Sequence, residues 1–176
     1  FRGGRQDAAF AAYTRAVELD PVFGIAWYPG SLLAYWGAPA KMLEFAETAV
    51  RNVSNLPWRE RRLLEANWEF ARGAVRESEV AYGEILQTYP DDVDALLGAA
   101  LLGSEYGWLI GGRFVARRRE LDAVHRYQPD DFMGLWLLSK LEARAGHCAA
   151  VESLNSKLFP NQPPRIAIAV FCGPPS

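Results

Sequence analysis

Apolar, aromatic and small residues recur along this chain at helical spacing, and each run is closed by a proline. Ala9, Tyr13 and Ala16 lead to Pro21, and Ser78, Tyr82 and Ile85 lead to Pro90, marking one face at steps of four and three residues. A proline cannot continue a helix, and the acidic pairs Asp91-Asp92 and Asp130-Asp131 supply N-cap oxygens for the helix that follows. The breaks are therefore specified twice.

Glycine is followed seventeen positions later by proline at Gly4 and Pro21, Gly73 and Pro90, and Gly146 and Pro163. Gly112 and Pro129 keep this distance, which places Trp108 to Gly111 as extra residues before that turn, while Gly37 and Pro57 lie three residues further apart. A small residue also stands seven positions before a glycine four times: Gly30 before Gly37, Ala66 before Gly73, Ala100 before Gly107 and Ser139 before Gly146. These small positions are 36, 34 and 39 residues apart. The pattern predicts a helix over about 7–19, then helical hairpins over about 22–55, 58–88, 92–127 and 131–158. Segment 166–171, Ile-Ala-Ile-Ala-Val-Phe after Pro163-Pro164, leaves the pattern and reads either as an unpaired strand or as a degenerate next helix.

Composition narrows the function. A 176-residue chain that is 50% hydrophobic has enough apolar side chains for a sizeable core. Its formal charge of -2 gives no broad positive field for nucleic acid or an anionic membrane surface, so no nucleic-acid partner is expected. The longest uncharged apolar run, Ala95 to Gly103, is far shorter than the roughly 20 residues that cross a bilayer, so no membrane insertion is expected. Two cysteines, Cys148 and Cys172, allow one bridge at most and fit no zinc-ligand spacing; read as free thiols, they favour the cytoplasm. The chain opens at Phe1 without a basic-then-apolar leader and reads as a fragment whose targeting segment is absent or cut away.

The turn glycines, the small residues before them and the prolines after them resemble the tetratricopeptide repeat, whose period is near 34, over roughly residues 1–163. The resemblance implies an all-α, right-handed α-solenoid of antiparallel helical hairpins, about four and a half repeats long, followed by an irregular tail over 164–176. In that fold two helices cross where one position must lack a bulky side chain, which accounts for the small residues. Leu56 to Ala66 and Tyr89 to Ala95 further resemble the repeat region that follows the kinase domain in some bacterial serine/threonine protein kinases, and related signalling proteins. Three residues depart from the pattern. Pro29 lies inside a first helix and should kink it near Ile25. Arg62 and Arg117 stand where the family has apolar or small residues, so those units either pack more loosely or lend the guanidinium groups to local ion pairs.

Little in the sequence suggests catalysis. His147 and Cys148 are helix neighbours pointing about 100° apart, whereas a thiolate and its imidazole must meet across space. Late in another helix, His125 suits the C-terminal dipole. Gly107 to Arg113 lacks the Lys-Ser/Thr ending and preceding strand of a phosphate loop and reads as a long turn between helices. Asn52-Val53-Ser54 matches a glycosylation sequon. The Arg59 to Arg62 and Arg117 to Arg119 clusters sit beside acids and read as a solvated, ion-paired face. No catalytic residue, cofactor or metal ligand is expected, and the fragment is not read as an enzyme.

The resemblance places the first helix of each hairpin along a concave groove. Its lining would include Trp27, Ser31, Tyr35, Asn67, Phe70, Leu101, Ser104, Glu105, Trp136, Lys140 and Arg144. Rigid aromatics with a few charges are what peptide binding requires. Trp27 and Ser31 stand where the family's carboxylate clamp has Lys and Asn, so no such clamp is expected. The expected function is a scaffold holding a protein or peptide segment; the alternative is a regulatory or structural segment of a larger signalling enzyme that contacts its own adjacent domains.

Overall fold

The computed structural model describes residues 6–20, 28, 31–32, 39–51, 55–109 and 117–159. These residues form an all-α structure with eight helices: α1 (Gln6–Leu19), α2 (Pro39–Arg51), α3 (Trp58–Ala71), α4 (Val75–Thr88), α5 (Val93–Tyr106), α6 (Arg118–Tyr127), α7 (Phe132–Arg144) and α8 (Cys148–Leu158). There is no strand among the described residues. From α3 onward the helices fall within the expected hairpins, and the helix expected over 7–19 is α1. Tyr28, Ser31 and Leu32 are helical. Pro29, the sequon at Asn52 and the 166–171 segment lie outside the described residues.

Two kinds of turn recur bond for bond. At the end of α3 the Gly73 N–H donates to Phe70 O and the Ala74 N–H to Glu69 O; at the end of α7 the Gly146 N–H donates to Ala143 O and the His147 N–H to Glu142 O. This pair of bonds satisfies the last carbonyls of a helix and needs a left-handed residue, which Gly73 (φ 81) and Gly146 (φ 78) provide. Open space surrounds the point where a Cβ on Gly73 would lie, so Gly73→Ala carries only a backbone penalty. It is expected to destabilise the protein by about 1 kcal/mol, read as a lower urea midpoint at unchanged slope.

The second turn joins α4 to α5 and α6 to α7. Tyr89 N–H donates to Ile85 O and Asp92 N–H to Tyr89 O; Gln128 N–H donates to Val124 O and Asp131 N–H to Gln128 O. The expected caps are then made by the second acid of each pair, with Asp92 accepting from the Ala95 N–H at 3.0 Å and Asp131 from the Gly134 N–H at 2.8 Å. Gly107 differs from its expected role. Its φ of -54 is right-handed, so it prolongs the end of α5 rather than reversing the chain. Gly112, the turn glycine marked by its spacing to Pro129, lies outside the described residues.

From α2 to α8 each helix packs on the next, and α3, α5 and α7 also pack on one another in succession. Helix α5 therefore has neighbours on all sides, which explains its unbroken apolar run: every residue from Ala95 to Ser104 is buried. The crossing of α3 and α4 is close. Ala66 and Ala81 are fully buried there, and Ser78 Oγ reaches across to donate to Ala66 O at 2.9 Å. Ala100 is likewise fully buried, while Ser139 bonds Asn155 Oδ1 of α8. One core cluster runs from Tyr28 to Leu141, and a smaller one joins Phe132, Leu135 and Leu158 between α7 and α8.

Candidate interaction surface

The residues expected to line a groove separate into two sets. Ser31, Asn67, Phe70, Leu101 and Ser104 are buried and offer little surface to a partner. The reason is the approach of neighbouring first helices, whose facing positions close over one another. Asn67 Nδ2 donates to Ser31 Oγ at 2.8 Å and Ser31 Oγ donates to Met42 O at 3.2 Å, while Phe70 packs edge-on against Tyr106 at 5.9 Å. The Asn67 Oδ1 atom, also buried, finds no donor among the described residues. Trp27 and Tyr35 lie outside the described residues.

Glu105, Trp136 and Lys140 are half-buried and Arg144 is exposed. They form a patch at the end of α5 and along α7. Lys140 Nζ lies 4.4 Å from the centre of the Trp136 ring and 2.7 Å from Glu105 Oε1, and Ser104 Oγ donates to that same oxygen at 3.2 Å. The Trp136 ring is thus held by packing on one side and a cation on the other. Such a patch presents a rigid aromatic face flanked by both signs of charge.

Other polar groups hold the helices in register. Arg59, at the start of α3, donates Nε to Asp92 Oδ2 at 2.6 Å and Nη2 to Asp92 Oδ1 at 2.8 Å and to Asp94 Oδ2 at 2.7 Å. One guanidinium thus clasps the N-terminus of α5 to that of α3. Burial opposes ionisation of Asp92, but the Arg59 and backbone hydrogen bonds outweigh it and hold this carboxyl below its ordinary range. For Asp131 burial prevails over the backbone hydrogen bonds from Gly134 and Met133 and raises the carboxyl. Arg62 pairs with Glu84 at 2.7 Å and Glu65 at 3.0 Å, and Arg117 with Glu79 at 2.9 Å and Glu120 at 3.3 Å, so both spend their charge on local pairs.

Sequence reasoning missed a buried aromatic link. The Tyr28 hydroxyl donates to Asp94 O at 3.0 Å, and the Tyr28 and Tyr82 phenols are hydrogen-bonded to each other. Burial raises both phenols well above their ordinary value, so both stay neutral donors. The Tyr82 ring lies close against the backbone of α5 at Gly98. A further cluster joins three helices: the Glu142 carboxylate accepts from Arg118 Nη1 and lies 2.6 Å from His147 Nδ1.

Cys148 is disulfide-bonded rather than free. A disulfide sulfur is not a thiolate nucleophile, and the free-thiol ground for a cytoplasmic setting is lost with it. Among the described residues no group of three or more His, Cys, Asp or Glu side chains is arranged to hold a metal. No helix among them is long and apolar enough to cross a membrane. Trp108 and Leu109, after α5, are exposed, and Trp58 and Tyr89 pair on the surface with ring centres 6.4 Å apart. Comparison with known proteins finds no family model and no curated protein that matches this chain.

Proposed function

We propose that this chain is a protein-interaction scaffold: a right-handed, tetratricopeptide-like α-solenoid that binds a partner segment along the exposed part of its first-helix layer. The observation that carries the reading is the succession α3, α5, α7, in which every second helix packs on the one before it while the turns between them repeat bond for bond. A layer built this way presents one continuous surface. Among the described residues expected to line it, Glu105, Trp136, Lys140 and Arg144 are the accessible ones. Such a patch suits a peptide with an apolar anchor against Trp136 and carboxylates toward Lys140 and Arg144. A partner supplied by an adjoining domain of the same polypeptide would use the same chemistry.

Selection of a displayed random-peptide library on the immobilised chain tests this. Enriched peptides are expected to carry an aromatic or aliphatic residue beside acidic ones. Absence of any enrichment over an unrelated helical protein would count against the proposal.

A further inference from the structure

The turns before α5 and α7 each carry a pair of acids, and only the second of each pair caps its helix. The first ones, Asp91 and Asp130, stand exposed, each beside an exposed proline and a nearby exposed tyrosine: Pro90 and Tyr89, Pro129 and Tyr127. Both turns lie at one end of the first-helix layer. Arg59 at the start of α3 bonds Asp92 and Asp94 at the start of α5, and Leu97 Cδ2 of α5 is 3.8 Å from where a Cβ on Gly134 of α7 would lie. Trp58, at the start of α3, completes the row. It is 39% exposed and meets Tyr89, 45% exposed, with ring centres 6.4 Å apart.

Charge at these turns is negative. The stretches Tyr89 to Asp94 and Gln128 to Asp131 hold five aspartates and no base. Among the bases on the helices around them, Arg59 is committed to Asp92 and Asp94 and Arg51 to Glu47, while Arg61, Arg126 and Lys157 lie on α3, α6 and α8 outside the turns. Burial raises the Asp131 carboxyl, and the Asp94 charge pushes it the same way, so the starts of α5 and α7 share one negative field. We propose that this end of the layer is a second docking surface, for a basic protein segment in the polyproline II form. Its Lys or Arg side chains pair with Asp91 and Asp130, and its prolines lie on the exposed rings of Trp58, Tyr89 and Tyr127.

The spacing selects the form. Helices in direct contact lie about 8–10 Å apart, and turns that repeat bond for bond on α5 and α7 set Asp91 and Asp130 at that pitch. A polyproline II helix returns to the same face every three residues, about 9 Å further on. A β-strand returns every two residues, about 7 Å further on. Bases at every third position therefore meet both acids from one face. Exposed aromatic rings suit such a segment, which is already extended and has no internal hydrogen bonds to break. The same charge repels nucleic acid and anionic lipid. This surface lies at the end of α5 opposite to Glu105, and it does not rest on the function proposed for the patch there.

The test is fluorescence anisotropy of labelled synthetic peptides titrated with the full chain. The probe is a polyproline peptide with lysine at every third position; its controls carry the same lysines at every second position, or glutamine in their place. Saturable binding of the probe is expected, with both controls weaker by about fivefold, the effect of losing two exposed ion pairs. Asp91→Asn combined with Asp130→Asn should weaken the probe by the same factor at an unchanged thermal transition. Tyr89→Ala, which keeps the backbone bonds of the turn, should weaken the probe and the glutamine control alike. No saturable binding, equal binding of the two lysine spacings, or equal binding of the glutamine peptide would each overturn the proposal on the wild-type chain alone. A folded double variant that binds the probe as the wild type does would also overturn it.

Discussion

Gly98→Ala is expected to destabilise the protein by about 3 kcal/mol, the upper range for forcing one extra carbon into a packed core. A Cβ at this position would lie 2.3 Å from both Cε1 and Cζ of Tyr82, deep inside contact distance. The ring has nowhere to go, because Tyr82 is buried and its phenol is tied to Tyr28, which bonds Asp94 O. Relief must come from moving α4 away from α5. Urea denaturation followed by circular dichroism measures the loss. Gly98→Ala combined with Tyr82→Leu should recover part of it, because the conflict is with the ring alone. An unchanged midpoint for the single variant would mean that α4 and α5 are not packed as described.

Arg59→Met is expected to cost about 2 kcal/mol at neutral pH, since it keeps the apolar stem but leaves a nearly buried carboxylate without its cation. Asp92 and Asp94 sit at the start of α5, so the loss falls on the junction of α3 and α5. The sign of its pH dependence follows from the depressed ionisation of Asp92. A carboxyl with a lowered folded-state value contributes stability that is present above its ordinary value and lost as pH falls through the folded one. The gap between wild type and Arg59→Met should therefore be widest near neutrality and narrow below the ordinary 3.8. Parallel stability profiles at both pH values would show that the clasp contributes nothing through charge.

The parts of the fold legible in the sequence are those whose chemistry is local. Gly73 and Gly146 had to be glycines because the chain turns left-handed there, and Asp92 and Asp131 follow a proline because an N-cap begins where a helix has just been stopped. Ala66 and Ala100 were marked as small by their register, and both are fully buried. Gly107 carried the same mark and does not turn the chain, since its right-handed backbone continues the end of α5. What could not be read is whatever depends on partners distant in sequence. Gly98 looks like one more residue of an apolar run until the Tyr82 ring is placed against it. Likewise, the spacing identifies the face on which Asn67, Leu101 and Ser104 lie but not how tightly the neighbouring first helix closes over it. Cysteine count permits a bridge at Cys148 and cannot require one.

Within the proposed surface, Lys140 is the side chain most easily removed without harm to the fold. It lies on Trp136 and pairs with Glu105, but it is not part of either core cluster. Calorimetric titration of a selected peptide into wild type, Lys140→Ala and, as a control on the exposed face of α8, Glu152→Ala is the most direct measurement of whether this layer binds proteins. Lys140→Ala is expected to weaken binding by about tenfold or more, with an unchanged thermal transition, while Glu152→Ala binds as wild type does. Equal affinities for all three chains would place binding elsewhere and contradict the proposed surface.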